Sequence, residues 1–288
     1  MSRIAVTGAS GFLGRHILAA LASTDAEIVA HARTLRSDLD AAAPCRWCCF
    51  DLASAPDDAF VRLGCPDIVI HLAWQGLPNH MSEHHFNVEL PVQYRFLRGL
   101  LESGLSRLVI TGTCLEYGMQ SGCLHEDLPA RPTNPYGRAK DTLRRTLIRL
   151  ATETQCEMRW LRVFYLYGRG QSPSSLYTTF HAAVARGDRR FDLSPGDQIR
   201  DYLQVEDAAE AIVQVALAPD TPDLVNVCSG APTTVRALVE RWRAELGADI
   251  ELNFGARDYP RHEPFAFWGD NSRLRRILGH SAHARSVG

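Results

Sequence analysis

Ile4-Ala5-Val6 runs directly into Thr7-Gly8-Ala9-Ser10-Gly11-Phe12-Leu13-Gly14, and the reading of this stretch decides the fold. Three apolar residues form a short strand, and the glycine-rich segment after it opens a helix. Glycines there allow a tight turn, close approach of the backbone to a pyrophosphate and close packing of helix on sheet. The helix N-terminus adds unsatisfied N–H groups and the positive end of its dipole. The segment predicts a phosphate-binding turn for a dinucleotide, with Gly8, Ser10, Gly11, Phe12, Leu13 and Gly14 as its contacts.

Outward from this turn, short apolar runs alternate with longer helical patterns to about residue 165. The runs are Glu27-Ile28-Val29-Ala30, Arg46-Trp47-Cys48-Cys49-Phe50, Ile68-Val69-Ile70-His71-Leu72, Leu108-Val109-Ile110 and Trp160-Leu161-Arg162-Val163. Between them Phe86, Leu90, Tyr94, Leu97 and Leu101, and later Ala139, Leu143, Leu147 and Leu150, recur at helical spacing. Six strands with intervening helices predict an α/β, Rossmann-type doubly wound parallel sheet. The alternation stops after Gly168-Arg169-Gly170, where Gly, Pro and Ser become frequent, so a smaller, loop-rich C-terminal substrate lobe is expected. The predicted division is residues 1–167, with a return segment at about 203–227, for dinucleotide binding, and 168–202 with 228–288 for the smaller lobe. The tail His280-Ser281-Ala282-His283-Ala284-Arg285 has no apolar period and reads as frayed.

Composition excludes several classes. The 288 residues carry 31 Lys and Arg against 33 Asp and Glu, a net charge of −2 without a basic block, which offers no footprint for nucleic acid or an anionic bilayer. No apolar run nears the roughly 20 residues that cross a membrane, and the N-terminus has no signal-peptide layout, so a cytoplasmic protein is expected. Eight scattered cysteines in a chain of this length read as reduced thiols. Cys45, Cys48 and Cys49 cluster, but no second ligand pair follows at zinc spacing, and no metal is expected.

The end of the second strand reads Ala30-His31-Ala32-Arg33-Thr34. A carboxylate there would hold the adenosine ribose hydroxyls of NAD and repel the extra phosphate of NADP. Ala32 takes its place and the Arg33 guanidinium suits a 2′-phosphate, so NADP(H) is favoured over NAD(H). Further along, Asn134-Pro135-Tyr136-Gly137-Arg138-Ala139-Lys140 places a phenol and an amine four residues apart on one face of a helix that begins after a proline. A phenol with a pKa of about 10 is a poor acid–base group at neutral pH, and the neighbouring ammonium is expected to pull it down.

The Gly-x-x-Gly-x-x-Gly spacing and the Tyr-x-x-x-Lys pair together resemble the extended short-chain dehydrogenase/reductases, the NAD-dependent epimerase/dehydratase family, with matches from residue 3 to about residue 272. The resemblance implies that Asp51 and Leu52 hold the adenine, and that Leu72, Ala73, Thr111 and Phe164 also lie against the cofactor. Thr113, four before Tyr117 in Ile110-Thr111-Gly112-Thr113-Cys114-Leu115-Glu116-Tyr117-Gly118, completes a catalytic set with Tyr136 and Lys140; Thr111 is the alternative hydroxyl. A nucleotide-sugar substrate is implied, with Arg200 gripping its diphosphate and Arg261, or its rival Arg257, as a second arginine. Trp74 and Tyr165 are further substrate contacts, and a homodimer through helices at 86–101 and 139–150 is implied. His80, His84 and His85, near the loop Trp74–His80, read as solvated residues.

Departures from the family narrow the chemistry. Sugar 4,6-dehydratases carry an acid–base Asp-Glu pair where this chain has Cys114 and Leu115. Members that epimerise at C3 and C5 place a cysteine at the position of Leu115; Cys114 is one position off, where strand alternation would aim it elsewhere. Tyr165 stands where many epimerases have Asn. Arg46-Trp47-Cys48, the segment Tyr167-Gly168-Arg169-Gly170 and Gly196-Asp197-Gln198-Ile199-Arg200-Asp201 resemble nucleotide-sugar 4-ketoreductases of O-antigen and lipopolysaccharide biosynthesis, such as CDP-abequose synthases. The expectation is NADPH-dependent reduction of the C4 carbonyl of a nucleoside-diphosphate 4-keto-6-deoxysugar. An NAD-dependent C4 epimerase is the alternative, and a dinucleotide-binding sensor without turnover a third reading.

Overall fold

The computed structural model describes residues 2–34, 45–259 and 264–286. In chain order the elements are β1 (Arg3–Thr7), α1 (Phe12–Leu21), β2 (Glu27–Ala32), β3 (Arg46–Cys49), α2 (Ala59–Arg62), β4 (Ile68–His71), α3 (Leu90–Glu102), β5 (Arg107–Thr113), β6 (Gly122–Leu124), α4 (Pro135–Glu153) and β7 (Glu157–Val163). They continue as β8 (Tyr165–Tyr167), α5 (Leu176–Arg186), β9 (Arg190–Leu193), β10 (Ile199–Gln204), α6 (Val205–Leu217), β11 (Leu224–Val227), β12 (Pro232–Thr234), α7 (Val235–Glu245), β13 (Glu251–Phe254), β14 (Phe267–Gly269) and α8 (Ser272–Ser286).

Seven strands form one parallel sheet in the order β11-β7-β5-β4-β1-β2-β3. Strands buried on both faces are apolar nearly throughout, and the alternation of side chains divides them between two layers. Ile4, Val6, Ile28 and Ile70 pack with α1 and α6; Ala5, Val29, Val69 and Ile110 pack with α3 and α4. The strand order reverses between β1 and β4, so a crevice opens where their C-terminal ends part, the usual ligand position in such sheets.

The sequence reading counts six strands, and the structure has a seventh. β11 is only Leu-Val-Asn-Val, and Asn226 interrupts its apolar run; the buried amide is satisfied by donating to the Leu124 carbonyl at 2.9 Å and accepting from the Tyr117 hydroxyl at 2.8 Å. The region expected to be loop-rich builds a core of its own, in which Phe180, Phe191, Leu238 and Trp242 join α5, α7 and the β9–β13 pair. The tail is helical to Ser286 instead of frayed. Leu274 and Ile277 anchor α8 in the main core, and no Pro or Gly between His280 and Ser286 stops it. Among the described residues no helix is long and apolar enough to cross a membrane.

Candidate active site

The glycine turn sits at the crevice. Gly8 has φ +72°, and a Cβ there would stand 2.8 Å from the Ala73 backbone nitrogen, so β4 and the turn can approach only because that position is glycine. A Cβ on Gly14 would collide with the Gly8 carbonyl oxygen. Gly11 caps α1 with no side chain over the helix end and no acidic residue in the first turn, which leaves the positive end of the helix to an anion. The turn therefore fits a dinucleotide pyrophosphate.

Two cavities meet at it. One, of about 360 Å³, is lined by Ser10, Arg33, Asp51, Leu52 and Ala73; the other, of about 470 Å³, by Phe12, Leu13, Gly14, Thr111, Thr113, Tyr136, Lys140, Phe164 and Tyr165. Gly8, Gly11, Leu72 and Trp74 line both. In the first cavity, Arg33 donates to the Gln75 side-chain oxygen at 2.8 Å, and Asp51 accepts from the Ala53 N–H at 3.0 Å. His31 is buried beside them and donates through Nε2 to the Phe50 carbonyl at 3.0 Å; burial lowers it to about 4, so it is neutral.

In the second cavity the chain turns at Thr113. The threonine caps the helical turn Cys114–Tyr117: its hydroxyl accepts from the Leu115 N–H at 3.2 Å while Glu116 accepts from the Thr113 N–H at 2.9 Å. Glu116 is fully buried and also accepts from Trp160 Nε1 and Arg162 Nε, each at 2.9 Å, tying the end of β5 to β7. Sequence reasoning passed over this carboxylate, although a Glu three residues after a threonine is the capping-box spacing. Because the strand ends at Thr113, its alternation does not reach Cys114. Cys114 and Leu115 both line the cavity, which corrects the expectation that the Cys114 thiol is aimed elsewhere.

Asn134 caps α4 by accepting from the Gly137 N–H at 2.8 Å, and Pro135 occupies the first turn. Tyr136 and Lys140 follow on the buried face. Lys140 is the only lysine of the chain. Its Nζ donates to the Thr111 carbonyl at 2.8 Å and lies 4.0 Å from the centroid of the Trp74 ring and 5.9 Å from that of Tyr136. Burial pulls Lys140 down to about 7 against the opposing pull of Glu116 and Glu89. Burial also pushes the Tyr136 phenol up, and Glu116 and Cys114 add to the rise. The expected lowering by the ammonium is thus overturned: desolvation dominates, and Nζ is turned to a carbonyl.

The loop after β4 closes over Tyr136. Trp74 Nε1 donates to His85 Nδ1 at 3.0 Å, His85 Nε2 donates to the Asn79 carbonyl at 2.8 Å, and the Tyr136 N–H donates to the His80 carbonyl at 3.2 Å. His85 is therefore buried, not solvated, because both ring nitrogens have partners inside; its ring and that of His80 lie 5.1 and 5.4 Å from the Tyr136 ring. His80 and His84 are half-buried. Arg200 does not line either cavity: it is buried on β10, donates to the carbonyls of Ile199 and Phe265 and stacks 4.7 Å from the Phe267 ring centroid, so it joins β10 to the strand carrying Phe267. Arg257 is exposed beyond β13, and Arg261 lies outside the described residues.

A model of the NAD dependent epimerase/dehydratase family matches residues 4–228. The chain is 28% identical over 270 residues to a dTDP-6-deoxy-L-talose 4-dehydrogenase (NAD(+)) of Aggregatibacter actinomycetemcomitans, covering 92% of this chain and 98% of that protein. It is 27% identical over 305 residues to a GDP-6-deoxy-D-mannose reductase of Pseudomonas aeruginosa, covering 96% and 91%. Among solved structures it is similar to MoeE5 in complex with UDP-glucuronic acid and NAD, with a TM-score of 0.82 and 25% identity over 96% of this chain and 92% of that one.

Proposed function

Because the chain belongs to the NAD dependent epimerase/dehydratase family, we propose that it is an NADPH-dependent reductase of the C4 carbonyl of a nucleoside-diphosphate 4-keto-6-deoxysugar. One observation carries the reading: Thr113, Tyr136 and Lys140 converge on one apolar cavity that joins a second across the glycine turn. The dinucleotide, when bound, supplies the hydride that reaches C4. Gly8, Gly11 and the open end of α1 hold its pyrophosphate, Asp51 and Leu52 take the adenine, and Arg33 takes the 2′-phosphate of NADP. Arg33 already has a neutral partner in Gln75, which a phosphate can displace at small cost.

Tyr136 is the proton donor to the developing alkoxide. A phenol raised by burial stays protonated throughout the neutral range, which suits an acid. Thr113 orients the carbonyl, and its own backbone is fixed by Glu116. Lys140, drawn down to about 7 by burial, binds the nicotinamide ribose and, when protonated, offsets charge as it builds on the substrate oxygen. The walls around these groups, Leu77, Pro78, Cys114 and Leu115, suit a sugar whose C6 is a methyl group. The names of the two 6-deoxysugar relatives support that choice, and that of the 4-dehydrogenase supports the C4 position. Residues 1–167 with about 203–227 would serve the dinucleotide, and 168–202 with 228–288 the sugar nucleotide.

The test is to mix the purified protein and NADPH with a panel of CDP-, GDP-, dTDP- and UDP-linked 4-keto-6-deoxysugars and to follow loss of NADPH absorbance. Consumption with at least one sugar is expected. A protein that binds NADPH and consumes none in any pairing, or that carries tightly held NAD and interconverts 4-epimers without added nucleotide, contradicts the reductase.

A further inference from the structure

Lys140 is 1% exposed, and a buried ammonium requires partners around it. The Thr111 carbonyl satisfies one of its three N–H donors, and among the described residues no ion pair reaches Nζ. What covers another side is the face of Trp74, at 4.0 Å. That indole is not free to turn. Its Nε1 is bonded to His85, and His85 is bonded in turn to the Asn79 carbonyl, so the neutral ring with its proton on Nε2 locks the indole plane. The Gln75 N–H donates to Glu89 at 3.0 Å and pins the same loop.

On the reading that Lys140 serves the reaction, we propose that Trp74, anchored by His85, is a positioning residue for Lys140: its π-face holds the ammonium charged and against Thr111, with the remaining N–H left to the cavity that Lys140 lines with Tyr136. An aromatic face attracts a desolvated cation through its quadrupole, whereas an aliphatic side chain of similar bulk would bury the charge without recompense. The charged and titratable groups that face Lys140 are Tyr136 on its own helix, Glu116 in the turn after β5, Glu89 ahead of α3 and His71 at the end of β4. Burial brings the lysine to about 7, where a change in its titration is easily read.

The sole lysine makes the test direct. Full-length protein labelled with carbon-13 at lysine Cε gives a single lysine resonance, whose shift against pH reports Lys140 without any enzymatic assay. Trp74→Leu should move the midpoint to lower pH by about 0.5–1 unit, a three- to tenfold change in the protonation equilibrium. His85→Leu should move it the same way, and His85→Gln, whose amide oxygen can accept from Trp74 Nε1, should restore it. The alkaline limb of kcat/KM should follow the resonance. A midpoint unmoved in Trp74→Leu overturns the proposal; should that variant not fold, an unmoved midpoint in His85→Leu does so. If the resonance shifts as expected while no keto sugar is reduced, the positioning role stands and the reductase reading falls. If keto sugar is turned over and the resonance does not move, the reductase reading stands and the positioning role falls.

Discussion

Glu116→Gln removes a charge and almost no volume, which isolates the electrostatic role of the carboxylate beneath Thr113. In the native protein Glu116 and Arg162 are both buried, 2.9 Å apart, and the guanidinium stacks 4.3 Å from the Tyr117 ring centroid while its Nη1 has no hydrogen-bond partner among the described residues. The glutamine oxygen can still accept from the Thr113 N–H and from Trp160 Nε1, but its amide nitrogen then faces Arg162 Nε, a donor against a donor. Arg162 is left as an uncompensated buried cation, and breaking such a pair by one partner costs about 3–5 kcal/mol. At this chain length that corresponds to a fall in Tm of roughly 5–8 °C. Thermal unfolding followed by circular dichroism measures it, and the double variant Glu116→Gln, Arg162→Met should recover most of the loss because no lone charge remains. A Tm within about 2 °C of wild type for the single variant, or no recovery in the double, would refute the reasoning that this ion pair secures the end of β5.

Tyr136→Phe should lower turnover by about 10²–10⁴-fold while leaving NADPH affinity, read by fluorescence titration, within threefold; a comparable loss in both would make the tyrosine a packing residue only. Arg33→Ser removes a charge-assisted contact to the 2′-phosphate worth about 1.5–3 kcal/mol, so NADPH should bind at least tenfold more weakly and NADH unchanged; equal weakening of the two would remove Arg33 from cofactor choice. His31 and His71 are lowered by burial from 6.5 to about 4 and about 3, His71 being held neutral between the Thr7 hydroxyl and the Gln93 oxygen. The unfolded chain therefore binds protons that the fold refuses. Their contribution to stability is complete above about pH 6.5 and falls as pH drops toward 4, by up to about 1.4 kcal/mol per pH unit for each. Chemical denaturation at pH 5 and pH 7 should show this loss, and His71→Gln should lessen it; a slope unaltered by the substitution would contradict the assignment to His71.

What could be read from the chain without coordinates was local. The run from Ile4 to Gly14, the apolar strands and the Tyr136–Lys140 spacing are patterns within one or two turns of chain, and they carried the sheet and the glycine turn. The protonation balance was not legible: whether Lys140 lowers Tyr136 depends on where Nζ points and how much water reaches it, and both are settled by Thr111, Trp74 and the closed loop. Glu116 reaches Trp160 and Arg162 across 44 and 46 residues of sequence, a pairing no spacing rule records. Arg200 carries a family pattern, but that its Nη1 donates to the Ile199 and Phe265 carbonyls beside the Phe267 ring depends on how β10 packs, which the pattern does not record. His85 looked like any histidine in a polar stretch, and only the fold of the loop gives both ring nitrogens a partner.

The most direct measurement of the proposed reduction follows one hydrogen. NADPH carrying deuterium in place of both hydrogens at the nicotinamide C4 is mixed in a single turnover with the keto sugar that the protein consumes, and the product is analysed by mass spectrometry and NMR. One deuterium per product molecule is expected, located at the sugar C4, with stoichiometric NADP and the same outcome lost in Tyr136→Phe. Product without deuterium at C4, or deuterium at any other carbon, would contradict hydride transfer to that carbonyl.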